Sequence, residues 1–148
     1  MPKYAFSSDD KSRFSLHDCR TASAEIKDGV LTFSFPDGIF CADYGSDWPN
    51  TGDAAVSFRI DGKRGVSFHQ FRDTEHGTVR EIRSAEEMLA ALNGGTWELE
   101  FGYRYDGYGQ ILYIGWIWPT DGSAVGEFEL FVGTKEKTVY FWNPPKED

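Results

Sequence analysis

An α+β fold, predominantly antiparallel β-sheet with one short α-helix near residues 84–93, is the class predicted by the 148-residue chain, and three observations carry it. Strand-length runs alternate apolar and polar residues, as in Trp97, Leu99, Phe101, Tyr103 and Tyr105 against Glu98, Glu100, Gly102 and Arg104, the period-two pattern of a half-buried strand. Asp-Gly follows or precedes apolar segments at Asp28, Asp37, Asp61, Asp106 and Asp121, and this dipeptide tolerates the positive φ angles of tight hairpin turns. Aromatic residues make up 16 % of the chain, a content suited to a β core. A curled sheet, a barrel or a sandwich all satisfy these observations.

Taken in order, the first hairpin turns at Asp28-Gly29, where a two-residue loop pairs Ile26 with Leu31, Ala24 with Phe33 and Ala22 with Phe35. Apolar residues then meet across the strands. A strand is expected from Gly38 to Ala42, then a loop from Asp43 to Asp53, where Trp48-Pro49-Asn50 lies among turn-forming residues without periodicity. At Asp61-Gly62 a three-residue loop ending at Lys63 opposes Phe58 to Val66 and Val56 to Phe68; a one-residue slip would turn one apolar set outward. Another strand is expected from Thr78 to Arg83.

Ser84-Ala85-Glu86-Glu87 is a capping box, followed by Ala85, Met88, Leu89 and Leu92 at helical spacing and by the stop Asn93-Gly94-Gly95. The helix should pack Met88, Leu89 and Leu92 on a sheet. In the next hairpin, a loop of two or four residues at Asp106-Gly107 sets Leu112, Ile114, Trp116 and Trp118 opposite Tyr103, Phe101, Leu99 and Trp97, all on one core face. Gly102 then faces Tyr113 and Gly115 faces Glu100 on the other side, where a ring covering bare backbone is expected. Strands at Glu127 to Val132, with Phe128, Leu130 and Val132 inward, and at Thr138 to Trp142 complete the set. Residues 143–148 are polar and Pro-broken and should fray. With no repeat or linker, residues 1–148 read as a single domain, able to bury about two-thirds of the unfolded chain's surface.

Fifteen basic against 24 acidic residues give a net charge of -9, a field that repels nucleic acid and anionic membranes and suits either plain solubility or a basic protein partner. Cys19 and Cys41 are the only cysteines; without metal-ligand spacing or Cys-x-x-Cys they read as reduced, buried thiols. Residues 1–14 contain Asp9, Asp10, Lys11 and Arg13 and lack the apolar core of a secretion signal. The longest apolar run, Ile111 to Trp118, is strand-length, far below a membrane span. A cytoplasmic location is the expectation.

Three groups of residues carry possible chemistry. In His17-Asp18-Cys19-Arg20 a nearby imidazole and guanidinium would lower a thiol pKa, making His17 and Cys19 a nucleophile candidate; on a strand the two share a face and Asp18 points away. His69, Asp73, Glu75 and His76 have the ligand types for a divalent metal but no tight motif. Among the aromatics, Trp48 in its loop and Tyr105, Tyr108 and Gln110 at the turn end are candidate contacts for a partner or ligand, because packing explains them least. Tyr103, Tyr113, Trp116 and Trp118 are the alternative, as the lining of a cavity.

The function read from these residues is a non-catalytic binding or protein-interaction domain with an acidic surface and aromatic anchors, free of cofactors and directed at a basic protein. Small acidic β-rich proteins that neutralise a basic toxin enzyme illustrate that class. The alternatives are a barrel or cupped sheet holding a small apolar or aromatic ligand, and an enzyme using the Cys/His pair or the His/carboxylate group.

Overall fold

The computed structural model describes residues 3–146. In chain order the strands are Phe6–Ser8 (β1), Phe14–Ser15 (β2), Cys19–Thr21 (β3), Ser23–Lys27 (β4), Val30–Phe35 (β5), Phe40–Cys41 (β6), Ala54–Arg59 (β7), Val66–Thr74 (β8), Gly77–Arg83 (β9), Trp97–Gly107 (β10), Gln110–Pro119 (β11), Gly126–Gly133 (β12) and Val139–Trp142 (β13), with the helix Ala85–Asn93 (α1) between β9 and β10. Two large antiparallel sheets result, ordered β1-β13-β7-β5-β4 and β3-β10-β11-β12-β8-β9, with β2 and β6 as a separate pair. The fold is α+β and mostly antiparallel sheet, and of the three arrangements open to the sequence it is the sandwich.

Alternation builds the core. Leu31, Phe33 and Phe35 of β5 and Val56 and Phe58 of β7 point inward against Leu99 and Phe101 of β10 and Phe128 and Leu130 of β12, all buried. Phe101 sits at the junction, its ring centre 5.3 and 5.6 Å from Phe33 and Phe35 across the gap and 5.1 and 5.6 Å from Tyr113 and Phe128 in its own sheet. The rings meet edge to face, the arrangement their quadrupoles favour.

The β4–β5 hairpin has the expected register, Ile26 with Leu31 and Ala24 with Phe33, turning through Asp28 and Gly29 at φ 52 and 75°. Ser84 caps α1: its hydroxyl accepts from the Glu87 amide at 3.1 Å while its own amide donates to the Glu87 carboxylate at 3.0 Å. Met88 and Leu92 are buried, and α1 packs on β4, β8 and β10.

Four expectations need correction. β7 and β8 do not form a hairpin; β7 pairs with β5 and β13 while β8 pairs with β12 and β9, so the chain crosses between sheets at Asp61-Gly62. The expected strand from Gly38 to Ala42 shortens to Phe40–Cys41. Asn143, the first residue of the expected frayed tail, is instead tied down: its amide donates to Asp53 O at 3.0 Å and its side chain donates to the Asp53 carboxylate at 2.8 Å. Residues 147–148 of that tail lie outside the described residues.

The fourth concerns β10 and β11. The turn is Tyr108-Gly109, with Gly109 at φ 73° and Gly107 paired to Gln110. Asp106-Gly107 therefore extends the strand. Tyr103 stands opposite Ile114 and Tyr105 opposite Leu112; a bulge between Phe101 and Tyr103 then shifts the register, so that Phe101 faces Gly115 and Glu100 faces Trp116. A bulge inserts one residue and lets the side chains beyond it change faces. Trp97, Leu99 and Phe101 remain inward, but Tyr103 and Tyr105 turn outward, and β11 buries Ile111, Tyr113 and Ile117 while Leu112, Ile114, Trp116 and Trp118 line the outside. Gly115 faces inward at a position that only glycine fits, because a Cβ there would meet the Glu100 carbonyl and the Phe128 ring. Gly102 is covered by a ring, that of Trp116 rather than Tyr113, 3.0 Å from where a Cβ would stand.

Candidate functional site

On the outer face of the six-stranded sheet, β11 contributes Leu112, Ile114, Trp116 and Trp118 as a continuous row, with Tyr103 and Tyr105 beside it on β10. Strand pairing sets carboxylates beside this row, on both flanks of Trp116 and on the β10 flank of Trp118. Glu98 and Glu100 stand opposite Trp118 and Trp116 on β10, and Glu127 and Glu129 stand opposite Trp116 and Ile114 on β12. Phe71, Tyr103, Ile114, Trp116, Glu127 and Glu129 bound a shallow concavity of about 280 Å³. The two tyrosines are 53 and 54 % exposed, so this is an aromatic surface open to solvent.

One cation already occupies part of it. The Arg20 guanidinium lies 4.2 Å from the Trp118 ring centre, with Nε 3.3 Å from Glu100 and Nη1 3.8 Å from Glu98. A guanidinium over an indole face is held by the ring quadrupole, and the carboxylates add directed charge. Trp116, one position along on the same face, has carboxylates on both flanks, and among the described residues no cation lies over its ring. Two buried polar atoms on the same face, Trp118 Nε1 and His69 Nδ1, have no hydrogen-bond partner among the described residues.

Trp48 joins this surface. Its ring stacks on Phe40 at 3.9 Å and meets the edge of His17 at 5.8 Å, and His17 in turn lies 5.1 Å from Tyr103. His17 is fixed by a 3.0 Å hydrogen bond between Nδ1 and Gly102 O. The expected contact set therefore divides: Trp48 and Tyr105 belong to the outer face, whereas Tyr108 and Gln110 border a separate cleft. The alternative cavity set divides as well, because the bulge leaves Tyr113 in the core with Tyr103, Trp116 and Trp118 outside. They line no common cavity.

His17 and Cys19 also separate. Residues 17 and 18 form a turn rather than a strand, with Asp18 at φ 61°, so the imidazole reaches the outer aromatics while the thiol enters the core. The thiol is 1 % exposed, and burial pushes its pKa up from 9.0 to about 12. A thiol held protonated is a poor nucleophile. Of the second group, His69 faces Glu129 at 3.6 Å, Asp73 accepts from the Thr78 hydroxyl at 2.8 Å, and Glu75 pairs with His76 at 3.2 Å in the β8–β9 turn. Among the described residues no three such side chains gather as a metal site.

The second cleft opens at the end of the sandwich, between Asp9–Ser12, the Tyr108-Gly109 turn and the segment from Thr134 to Thr138, with a volume of about 760 Å³. At its inner edge Arg104 donates through Nη1 to the Tyr140 and Tyr113 hydroxyls at 3.0 and 3.2 Å and through Nη2 to Asp106 at 2.9 Å. Burial alone would raise the Asp106 carboxyl, but the Arg104 guanidinium outweighs it and holds the pKa below the ordinary value.

Sequence patterning missed Glu100, Glu127, Glu129 and Arg104 as site residues. Glu127 and Glu129 alternate with inward Phe128 and Leu130, which reads as any solvated strand face; only the register of β11 brings tryptophan between them. No helix among the described residues is long and apolar enough to cross a membrane. Comparison with protein-family models, curated proteins and solved structures finds no match for this chain.

Proposed function

We propose that this chain is a protein-interaction domain that binds a basic segment of a partner on the outer face of its six-stranded sheet, without chemical conversion of that partner. Cationic side chains of the partner would lie over Trp116 and Tyr103 between Glu100, Glu127 and Glu129, with Trp48 and Tyr105 as peripheral anchors. The observation that carries the reading is Arg20, the chain's own guanidinium, bound on Trp118 between Glu98 and Glu100. The neighbouring Trp116 also lies beside carboxylates, Glu100 and Glu127, and among the described residues it holds no internal cation. A net charge of -9 supports long-range attraction of a basic partner, and each desolvated cation–π contact contributes about 0.5–2 kcal/mol. The proposed setting is the cytoplasm, where the unlinked Cys19 and Cys41 thiols suit a reducing environment.

The test is a calorimetric titration of the full chain with an arginine-rich peptide and a glutamate-rich peptide of equal length, paired with the NMR shift of the Trp116 indole N–H. Binding of the arginine peptide alone, weakened roughly tenfold, about 1.4 kcal/mol, by Glu127→Gln or Trp116→Ala, is the expected result. Glu25→Gln on the other sheet serves as the charge control. If it weakens binding as much as Glu127→Gln, attraction is diffuse and the assignment of this face fails; the same holds if the indole does not shift.

A further inference from the structure

We propose that the cleft at the end of the sandwich is a second binding site, independent of the outer sheet face, and that it takes a neutral polyhydroxylated ligand of the sugar type. Three features of the cleft select that class.

The first is its charge. Within a chain of net charge -9, this cleft is lined by four carboxylates and four cationic side chains, so neither an anion nor a cation is favoured by the local field. The second is its polar equipment. Asp106 is locked by Arg104 at 2.9 Å and approached by Lys11 at 3.4 Å, and Gln110 adds an amide at the lip. Asp106 supplies acceptor oxygens, 40 % exposed and already held by Arg104 and Lys11, while the ammonium of Lys11 and the amide of Gln110 add further donors and an acceptor, the mixture that neighbouring hydroxyls require. Thr138, which lines the cleft, is 3 % exposed, and among the described residues its hydroxyl has no hydrogen-bond partner; a buried polar group left without one costs stability until something satisfies it.

The third is Tyr108. It lies at the turn on the rim and is 94 % exposed, so packing gives no reason for an aromatic ring there. A sugar presents hydroxyls around its edge and C–H groups on its face. The face suits the Tyr108 ring, which combines an apolar body with a polar tip, and the edge suits Asp106, Lys11 and Gln110. A volume of about 760 Å³ falls in the range of small-molecule sites. Arg104 is a positioning residue: bound to Tyr113, Tyr140 and Asp106 at once, it fixes the Asp106 carboxylate before any ligand arrives, which lowers the ordering cost of binding.

The experiment is an NMR titration of the isotope-labelled full chain with glucose, galactose, maltose and lactose, and separately with inorganic phosphate and guanidinium as charged probes at low concentration. At least one sugar should give saturable shifts at the amides of Tyr108, Gln110 and Thr138, with affinity in the millimolar range or tighter. Asp106→Asn should weaken it roughly tenfold, and so should Tyr108→Ala, whose exposed ring leaves the fold intact. The proposal is overturned if none of the four sugars produces saturable shifts there, or if phosphate or guanidinium occupies the cleft in preference. It is equally overturned if a sugar binds with undiminished affinity to Tyr108→Ala. None of these outcomes involves the Trp116 indole, so this site and the outer face stand or fall separately.

Discussion

At Cys19 the neighbours in sequence suggest an activated thiol, while the neighbours in space suppress one. Its Sγ lies within donating distance of the carbonyls of His17, 3.4 Å, and Ser15, 3.9 Å, inside the core, so ionisation is opposed by loss of hydration. Because the folded thiol has a pKa near 12 against an ordinary 9.0, the native state keeps a proton that the unfolded chain releases at lower pH. That contribution to stability is complete below pH 9 and is lost as the pH rises toward 12. In urea melts across that interval, wild type should lose stability more steeply than Cys19→Ala. Parallel profiles would show that the buried thiol is not responsible.

At the scale of elements, α1 illustrates a local rule deciding local structure. The reciprocal bonds between Ser84 and Glu87 satisfy amides that the first helical turn leaves without partners. Ser84→Ala should cost about 1 kcal/mol in chemical denaturation, with faster amide exchange confined to α1. The Ser84 amide also holds the Glu87 carboxyl below its ordinary 4.5, so this cap supports the fold above that pH and weakens as the pH falls through the lowered value. The β10–β11 hairpin shows the opposite case. Its inward and outward sets depend on one inserted residue, Gly102, and Tyr103 and Tyr105 beyond the bulge change faces with it.

Across the whole molecule, the two sides of the six-stranded sheet differ in character: one is core and the other an aromatic, acidic surface. The inner side is closed by rings meeting at Phe101, which touches both sheets. Phe101→Ala should cost about 3–5 kcal/mol, a large part of the roughly 5–15 kcal/mol that holds a domain folded. Far- and near-ultraviolet signals should lose their midpoint together, because both layers share that core; separate transitions would contradict it. The outer side and the end cleft differ in charge rather than in fold. One sets carboxylates around indoles, the other balances both signs around a hydroxyl-lined hollow.

The amino-acid sequence by itself determined the features that depend on near neighbours. The antiparallel class, the register of β4 with β5, the capped helix and the inward set of β12 follow from periodicity, turn chemistry and capping within short stretches. Tertiary structure decided what depends on partners distant along the chain. Whether β7 pairs with β8 or crosses to the other sheet is settled by competition among several apolar strands, and their alternation alone is compatible with either outcome. Alternation also names two faces without saying which is inside. In β11 the small inward Gly115 makes room for Phe128, and Trp116 and Trp118 stand outside, Trp116 between carboxylates from two other strands and Trp118 opposite Glu98. The rings were visible in the sequence, but only packing could assign them to a surface, because a one-residue shift exchanges core for solvent.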